Sequence, residues 1–199
     1  MVERLLPGTP RVQRGASMIE VLVTMVIIAF GLLGMAGLQV RLQVSEMESY
    51  QRSQALLLLN DMANRISVNR TATVAGTYLV AADSPLGVNT TNSKCNPLGA
   101  SPTTGERDLW EWCNALKGAG ETMDAGATNV GVMVGGRGCV ENVDGDYLVT
   151  VAWQGLTPIA APPASVACGE NSYNASAGSP CVNDLCRRTV TTLVRIATL

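Results

Sequence analysis

Arg14-Gly15-Ala16-Ser17-Met18-Ile19-Glu20 runs directly into Val21–Val40, a stretch that carries no charge at all. As a helix the uncharged stretch rises about 30 Å, enough to cross the hydrocarbon core of a bilayer. A carboxylate at the mouth of such a helix is costly in lipid, by about 2.5–3.5 kcal/mol near a helix centre and less toward its ends. Glu20 therefore calls for a partner, and what supplies it is the question the rest of the chain has to answer.

Upstream, Pro7, Gly8 and Pro10 break any helix, and no apolar run precedes Gly15. An ordinary secretory signal places its apolar region before the small-residue junction. Here it comes after, so a cut at Gly15 leaves the apolar segment on the mature chain. Arg4, Arg11 and Arg14 against Glu3 make the first fifteen residues two charges positive, which leaves the remainder of a chain of net charge −2 four charges negative. A basic end beside an apolar span stays on the cytoplasmic side of the membrane. The acidic remainder lacks the basic patch of a nucleic-acid surface, so no nucleic-acid partner is expected.

Downstream, no proline occurs between Pro10 and Pro85, and the sequence predicts one helix from about Ser17 to about Asn69. Gly31, Gly34 and Gly37 recur every third residue within it. They suit close helix–helix approach in a membrane, or a locally weak helix that can unwind, since each costs about 1 kcal/mol relative to Ala. Beyond Val40, residues Leu42, Met47, Leu56, Leu59, Met62 and Ile66 give an apolar stripe near the helical period, expected to bury against a globular domain. Residues 71–104 read as a long connection with one short strand around Tyr78-Leu79-Val80, and Glu106–Lys117 as a short helix stopped by Gly118. Strands follow at Val130–Val134 and Gly138–Val143. Tyr147, Val149, Val151 and Trp153 alternate with Leu148, Thr150 and Ala152, and the same period of two returns over Arg187–Ile196.

All six cysteines, Cys95, Cys113, Cys139, Cys168, Cys181 and Cys186, lie downstream of the apolar run. In an exported domain they read as up to three disulfides, of a connectivity that spacing leaves open. The sole Phe is Phe30, in the apolar segment, so the globular core is small and aliphatic and gains from such bridges. The chain has no histidine, which removes the commonest general base, the His-dependent nucleophile pairs and every His-ligated metal site. No catalytic residues, no cofactor and no metal are expected. Glu141–Asp146 offers alternating oxygens for calcium but lacks the closing acid of a hand-type loop, whereas Asp144-Gly145 between two alternating runs is a hairpin turn. Cys181 and Cys186 could form half of a zinc site, but the partner pair is missing and the compartment is oxidising.

Gly15 | Ala16-Ser17-Met18-Ile19-Glu20 resembles the signal of type IV prepilins: a short basic leader, Gly before the cut, a carboxylate at the fifth mature position, then the apolar span. The resemblance implies cleavage by a prepilin peptidase between Gly15 and Ala16 and methylation of the new N-terminus at Ala16. It also implies a pairing of Glu20 with the N-terminal amine of a neighbouring subunit. Many members of that family carry Phe where this chain has Ala16. The run Ala29–Gln39 and the ending Cys186-Arg187-Arg188-Thr189-Val190 are similar to the minor pilins called type IV pilus modification proteins, or PilV. That resemblance implies work at the inner membrane with an assembly platform, a major pilin, other minor pilins and a tip adhesin, priming a fibre. The rival within the class is a minor pseudopilin of a type II secretion system; outside it, a membrane-tethered adhesin or binding module.

The expected architecture is α+β and pilin-like: a long N-terminal helix packed on a C-terminal antiparallel β-sheet with disulfide-pinned loops. Residues 1–15 form the cleaved leader, 16–41 the transmembrane and assembly half of the helix, 42–70 its amphipathic half, and 71–199 a cysteine-rich globular domain. That domain is expected in the periplasm and then on the fibre.

Overall fold

The computed structural model describes residues 15, 17–118, 122–123, 128–129, 133–176 and 178–196. Residues 1–14 of the leader and Ala16 lie outside the described residues. The chain divides into two compact units, Met1–Gln43 and Val44–Leu199. Helix α1, Met18–Val68, spans 51 residues and crosses that division. Its end agrees with the expected one, at about Asn69, to within a residue. Short helix α2 (Arg70–Val74) follows at once, its first turn capped by the Asn69 side chain.

In the second unit the sheet is antiparallel, ordered β1-β4-β5-β6, with β1 at Leu86–Gly87, β4 at Arg137–Val143, β5 at Asp146–Gln154 and β6 at Arg187–Val194. Two further two-residue strands, β2 (Thr122–Met123) and β3 (Thr128–Asn129), pair with each other alone. Strands β4 and β5 form a hairpin closed by Asp144-Gly145, both at positive φ (53° and 91°). That is the geometry of a tight primed turn. The period of two in β5 puts Tyr147, Val149, Val151 and Trp153 into one core with Val190 and Val194 of β6.

Against this face α1 lays Ala55, Leu59, Met62 and Ile66, all buried, at spacings of four, three and four. Fully burying a Leu, Ile or Met stabilises by about 1.5–3 kcal/mol, so these four positions hold much of the domain together. The stripe is narrower than the periodicity predicted. Leu42 and Met47 are more than half exposed and Leu56 is 40 % exposed, while Gln51 is buried. The reason is phase: Met47 and Leu56 lie to either side of the Ala55–Ile66 row, which one sheet face cannot reach.

Helix α3, Thr104–Leu116, completes that layer with Leu109, Trp112, Cys113 and Leu116. It begins two residues before Glu106, because Thr103 and Glu106 form a reciprocal capping box. The indole of Trp112 donates to the Leu58 carbonyl at 2.9 Å. Its ring lies on Gly138 so closely that a Cβ there would come within 2.3 Å of Cη2.

Residues 71–104 hold more structure than one strand. They contain α2, β1 and a 3-10 turn at Ser93–Cys95, while Tyr78–Val80 contributes only a single bridge, Val80 to Val140. The strand expected at Val130–Val134 does not extend to its end. Residues 130–132 lie outside the described residues, and Met133 and Val134 belong to a turn that Gly135 carries through at φ 65°. Strand β6 stops at Val194, short of Ile196.

The sheet's opposite face is covered by the long segment after β5. Cys139–Cys168 bolts that segment to β4, and Tyr173 donates to the Gly135 carbonyl at 2.9 Å beneath the Arg137 guanidinium. Buried Arg187 donates to the carbonyls of Val166 and Cys168, and its Nε lies 3.1 Å from the Asp184 carboxylate, at an angle too poor for a hydrogen bond. Asp184 in turn accepts from the Asn171 amide at 2.9 Å. An arginine in the middle of the loop's contacts thus replaces the apolar core that this polar segment lacks.

Gly138→Ala should destabilise the domain by about 1–3 kcal/mol, the usual cost of overpacking. The added methyl must displace Trp112, so urea denaturation should give a lower midpoint and indole emission should shift. Wild-type values for both would mean that the ring has room the geometry denies.

Candidate assembly site

Glu20 is the third residue of α1, exposed, in the turn where the backbone amides of Glu20 and Val21 donate to the Ser17 carbonyl at 3.0 and 3.2 Å. The positive end of a helix dipole favours a carboxylate there. Gly15 is described and exposed, while Ala16 is not among the described residues. Among the described residues no ion pair includes Glu20.

The helix that follows buries none of its most apolar eighteen-residue window. Phe30 is 71 % exposed and Leu33 68 %. A helix apolar on all sides requires lipid or other protein around it. A Cβ added at Gly31, Gly34 or Gly37 would meet nothing within 4 Å, so no contact among the described residues requires these glycines. Helical structure nevertheless runs through all three unbroken.

In the second unit, α1 is held by polar contacts as well as by its apolar row. Glu48 Oε1 accepts from the amides of Leu156 and Thr157 at 3.1 and 3.2 Å, from the Thr157 hydroxyl at 3.1 Å, and from Arg188 Nη2 at 3.3 Å. Burial pushes its pKa up, but the Arg188 charge and the Thr157 and Leu156 hydrogen bonds more than offset that, so Glu48 stays below the ordinary glutamate value. Nearer the end of α1, Arg65 binds Asp61, Asp108 and Glu111 at 3.0, 2.8 and 2.8 Å. The Tyr78 hydroxyl donates to Asp108, and burial followed by that bond pushes the phenol up to about 12. Only the Asp61–Arg65 pair, four residues apart on one helix, had a signal in sequence. Glu48 and Arg188 are 140 positions apart, and no local pattern links them.

All six cysteines are paired: Cys95–Cys113, Cys139–Cys168 and Cys181–Cys186. The first ties the 3-10 turn to α3, and the third closes a small loop that carries Asp184. Among the described residues no group of three or more His, Cys, Asp or Glu side chains could hold a metal ion. A groove of about 500 Å³ is walled by Thr77, Ser93, Lys94, Asn96, Ser101 and Glu106. Its lysine is held inward, donating to the carbonyls of Thr77 and Leu79, and burial lowers its pKa.

These features define a class: a subunit with one apolar, membrane-length helix continuing into a disulfide-braced helix-on-sheet domain. Residues 10–36 match the prokaryotic N-terminal methylation motif, and residues 37–113 match the type IV pilin Tt1218 family. No curated protein and no solved structure matches the chain. The two family matches adjoin, and the protein is a type IV pilin with a prepilin methylation motif. Membrane anchoring, processing by a prepilin peptidase and assembly with other pilins go with that class. Residues 114–199, with most of the sheet and two of the disulfides, lie outside both matches.

The depressed Glu48 pKa makes a pH prediction. Its contribution is fully present above the unfolded glutamate value near 4.5 and is lost as pH falls through the lower folded value. Glu48→Gln should cost on the order of 1 kcal/mol at neutral pH and flatten the fall in stability below pH 4.5. Urea titrations of both chains from pH 3 to 7 (about the range in which carboxylates titrate) measure this. Curves that stay parallel would show that Glu48 is not the group responsible.

Proposed function

We propose that the chain is a minor pilin that helps to initiate or modify assembly of a type IV pilus at the inner membrane. The observation that carries this is a carboxylate, Glu20, in the first turn of a helix that begins three residues after Gly15 and whose most apolar eighteen-residue window is wholly unburied among the described residues. In this reading residues 1–15 are removed by the prepilin peptidase, and the new N-terminus at Ala16 is methylated. Residues 16–41 then leave the bilayer for a bundle of like helices, while residues 42–70 stay bound to the globular domain of residues 71–199. Before assembly that domain lies in the periplasm.

Cleavage supplies what Glu20 lacks. The new amine is the natural counter-charge for a carboxylate inside a bundle of apolar helices, and it is offered by the adjacent subunit. Truncating one member of such a buried pair typically costs 3–5 kcal/mol. The pair therefore sets register and penalises wrong neighbours. The sequence likeness to pilus modification proteins over Ala29–Gln39 and Cys186–Val190 supports the minor-subunit role. It also supports partnership with a major pilin, other minor pilins, a tip adhesin and the assembly platform. The role is structural and non-enzymatic.

Glu20→Ala should abolish incorporation into sheared fibres while leaving cleavage after Gly15 intact. Mass spectrometry of the mature N-terminus reads the second half, and immunoblotting of the fibre fraction the first. Normal incorporation of Glu20→Ala would refute the pairing. Wild-type protein left uncleaved in the membrane and missing from fibres would refute the pilin-subunit role in favour of a tethered binding module.

A further inference from the structure

The segment that leaves β5 begins with a run, Gly155 to Gly169, in which no residue is charged. Surface connections are ordinarily polar, because they run through water. This one starts differently. Leu156 is 43 % exposed and Ile159 54 %, with Pro158, Ala160, Ala161 and Pro163 exposed beside them. The Ile159 amide donates to the Leu185 carbonyl at 2.8 Å and the Leu185 amide to the Val182 carbonyl at 3.0 Å, which brings in Val182, also exposed. Together they form an apolar rim at the end of the sheet where β5 finishes and β6 begins. The opposite end exposes Val143 and Leu193 too, but there the strands and their turn carry Glu141, Asp144, Asp146 and Arg195.

The chain's own connections limit how far this rim can stand from lipid. Glu48 accepts from the amides of Leu156 and Thr157, so the rim is tied directly to α1. Glu48 stands eight positions after Val40, where the uncharged stretch ends, a helical rise of about 12 Å. The headgroup layer is itself about 5–8 Å deep on each side of the hydrocarbon core. An extended piece such as Pro158–Pro163 spans up to about 20 Å. Whatever the tilt of α1, a chain anchored by that stretch therefore keeps the rim within reach of the lipid surface. The lack of charge then has a consequence, because nothing in the rim has to shed an ionic hydration shell on entering the headgroup boundary. Pro158, Pro162 and Pro163 also carry no backbone N–H to leave unpaired there.

We propose that the rim formed by Leu156–Pro163 and Val182 rests in the headgroup layer of the membrane, giving the anchored chain a second contact with lipid. This goes beyond the pilus reading and requires only the membrane anchoring of the class. A single helix in a bilayer leaves the domain free to turn about it, and a second contact offset from the helix restrains that turning. The contact is lost when the chain leaves the bilayer, so it favours the membrane-bound state until contacts between subunits replace it.

The test reconstitutes the full-length chain into vesicles of radiolabelled phosphatidylethanolamine and phosphatidylglycerol. A photo-crosslinking benzoylphenylalanine is placed at Ile159 or, as control, at Leu193, which is exposed at the far end of the sheet. The expected result is a yield of lipid adducts several-fold higher from Ile159 than from Leu193. Equal yields, or adducts to protein alone, would overturn the rim while leaving the anchoring intact. A chain that does not float with the vesicles would overturn the anchoring and the rim with it. With the crosslinker at Leu156 instead, Ile159→Asp should lower the lipid adducts several-fold, whereas Ile159→Leu should retain them. Unchanged yields in Ile159→Asp would also overturn the rim.

Discussion

The packing of Ala55, Leu59, Met62 and Ile66 against Trp112 and the inner face of β4, β5 and β6 is the contact on which the rest of the domain depends. The domain has few large side chains to build with, since the one Phe of the chain lies in the apolar segment. Trp112 therefore does what several aromatics would do elsewhere. It fills the space between helix and sheet, donates its indole proton to the otherwise occupied backbone of α1, and requires a bare Gly138 beneath it. A core this small leaves the ends of the interface under-secured. Glu48 near one end of the contact and Arg65 near the other supply charged clamps there, each shared among three or more partners.

On the sheet's other face the problem is different, because the covering segment between β5 and β6 leaves Leu156, Ile159 and Val182 exposed and buries little beyond Cys168, Tyr173 and Cys186. Its order comes from constraint. Cys139–Cys168 fixes its middle to the sheet, and Cys181–Cys186 closes a small loop around Asp184. Arg187 then links that loop to the backbone carbonyls of Val166 and Cys168. Each bridge reduces the conformational freedom of the unfolded segment, which matters most where the folded state gains little from burial. The bridges and the buried arginine are thus substitutes for hydrophobic area, and the composition of the segment explains why they are needed.

What could be read from sequence follows the range over which each signal acts. The period of two in Tyr147–Trp153, the Asp144-Gly145 turn and the long helix expected to end at about Asn69 are local, and the structure has each of them where the residues put it. The start of α3 is equally local, since Thr103 and Glu106 have capping-box spacing, and the helix begins two residues before the expected Glu106. The buried row of α1 was harder. Its apolar residues are frequent enough to form two rows, and periodicity gives a period without saying which phase faces the sheet. Met47 was assigned to the wrong row for that reason. The Glu48–Arg188 clamp and the disulfide pairing depend on how distant segments meet, which no local pattern encodes. For Glu20 the structure adds only that the residue is exposed in the first turn of α1; the pairing proposed for it rests on the sequence.

The physics of the N-terminal segment bears on why the helix is one piece. A helix that moves from lipid to protein must keep its backbone hydrogen bonds satisfied in both, and continuous helical structure from Met18 to Val68 does so without refolding. Side chains that meet nothing in the chain are then not idle. In lipid the apolar ones are solvated by acyl chains, and in a bundle they are solvated by each other, so the transfer changes little for them. For Glu20 the same transfer changes a great deal, since a carboxylate can reach interfacial water at the membrane but not inside a bundle. In the proposed assembly Glu20, the one charge between Ala16 and Val40, is thus the residue whose free energy depends strongly on having a correctly placed neighbour. Apolar contacts alone would tolerate many registers between helices; the carboxylate tolerates those that bring an amine to it.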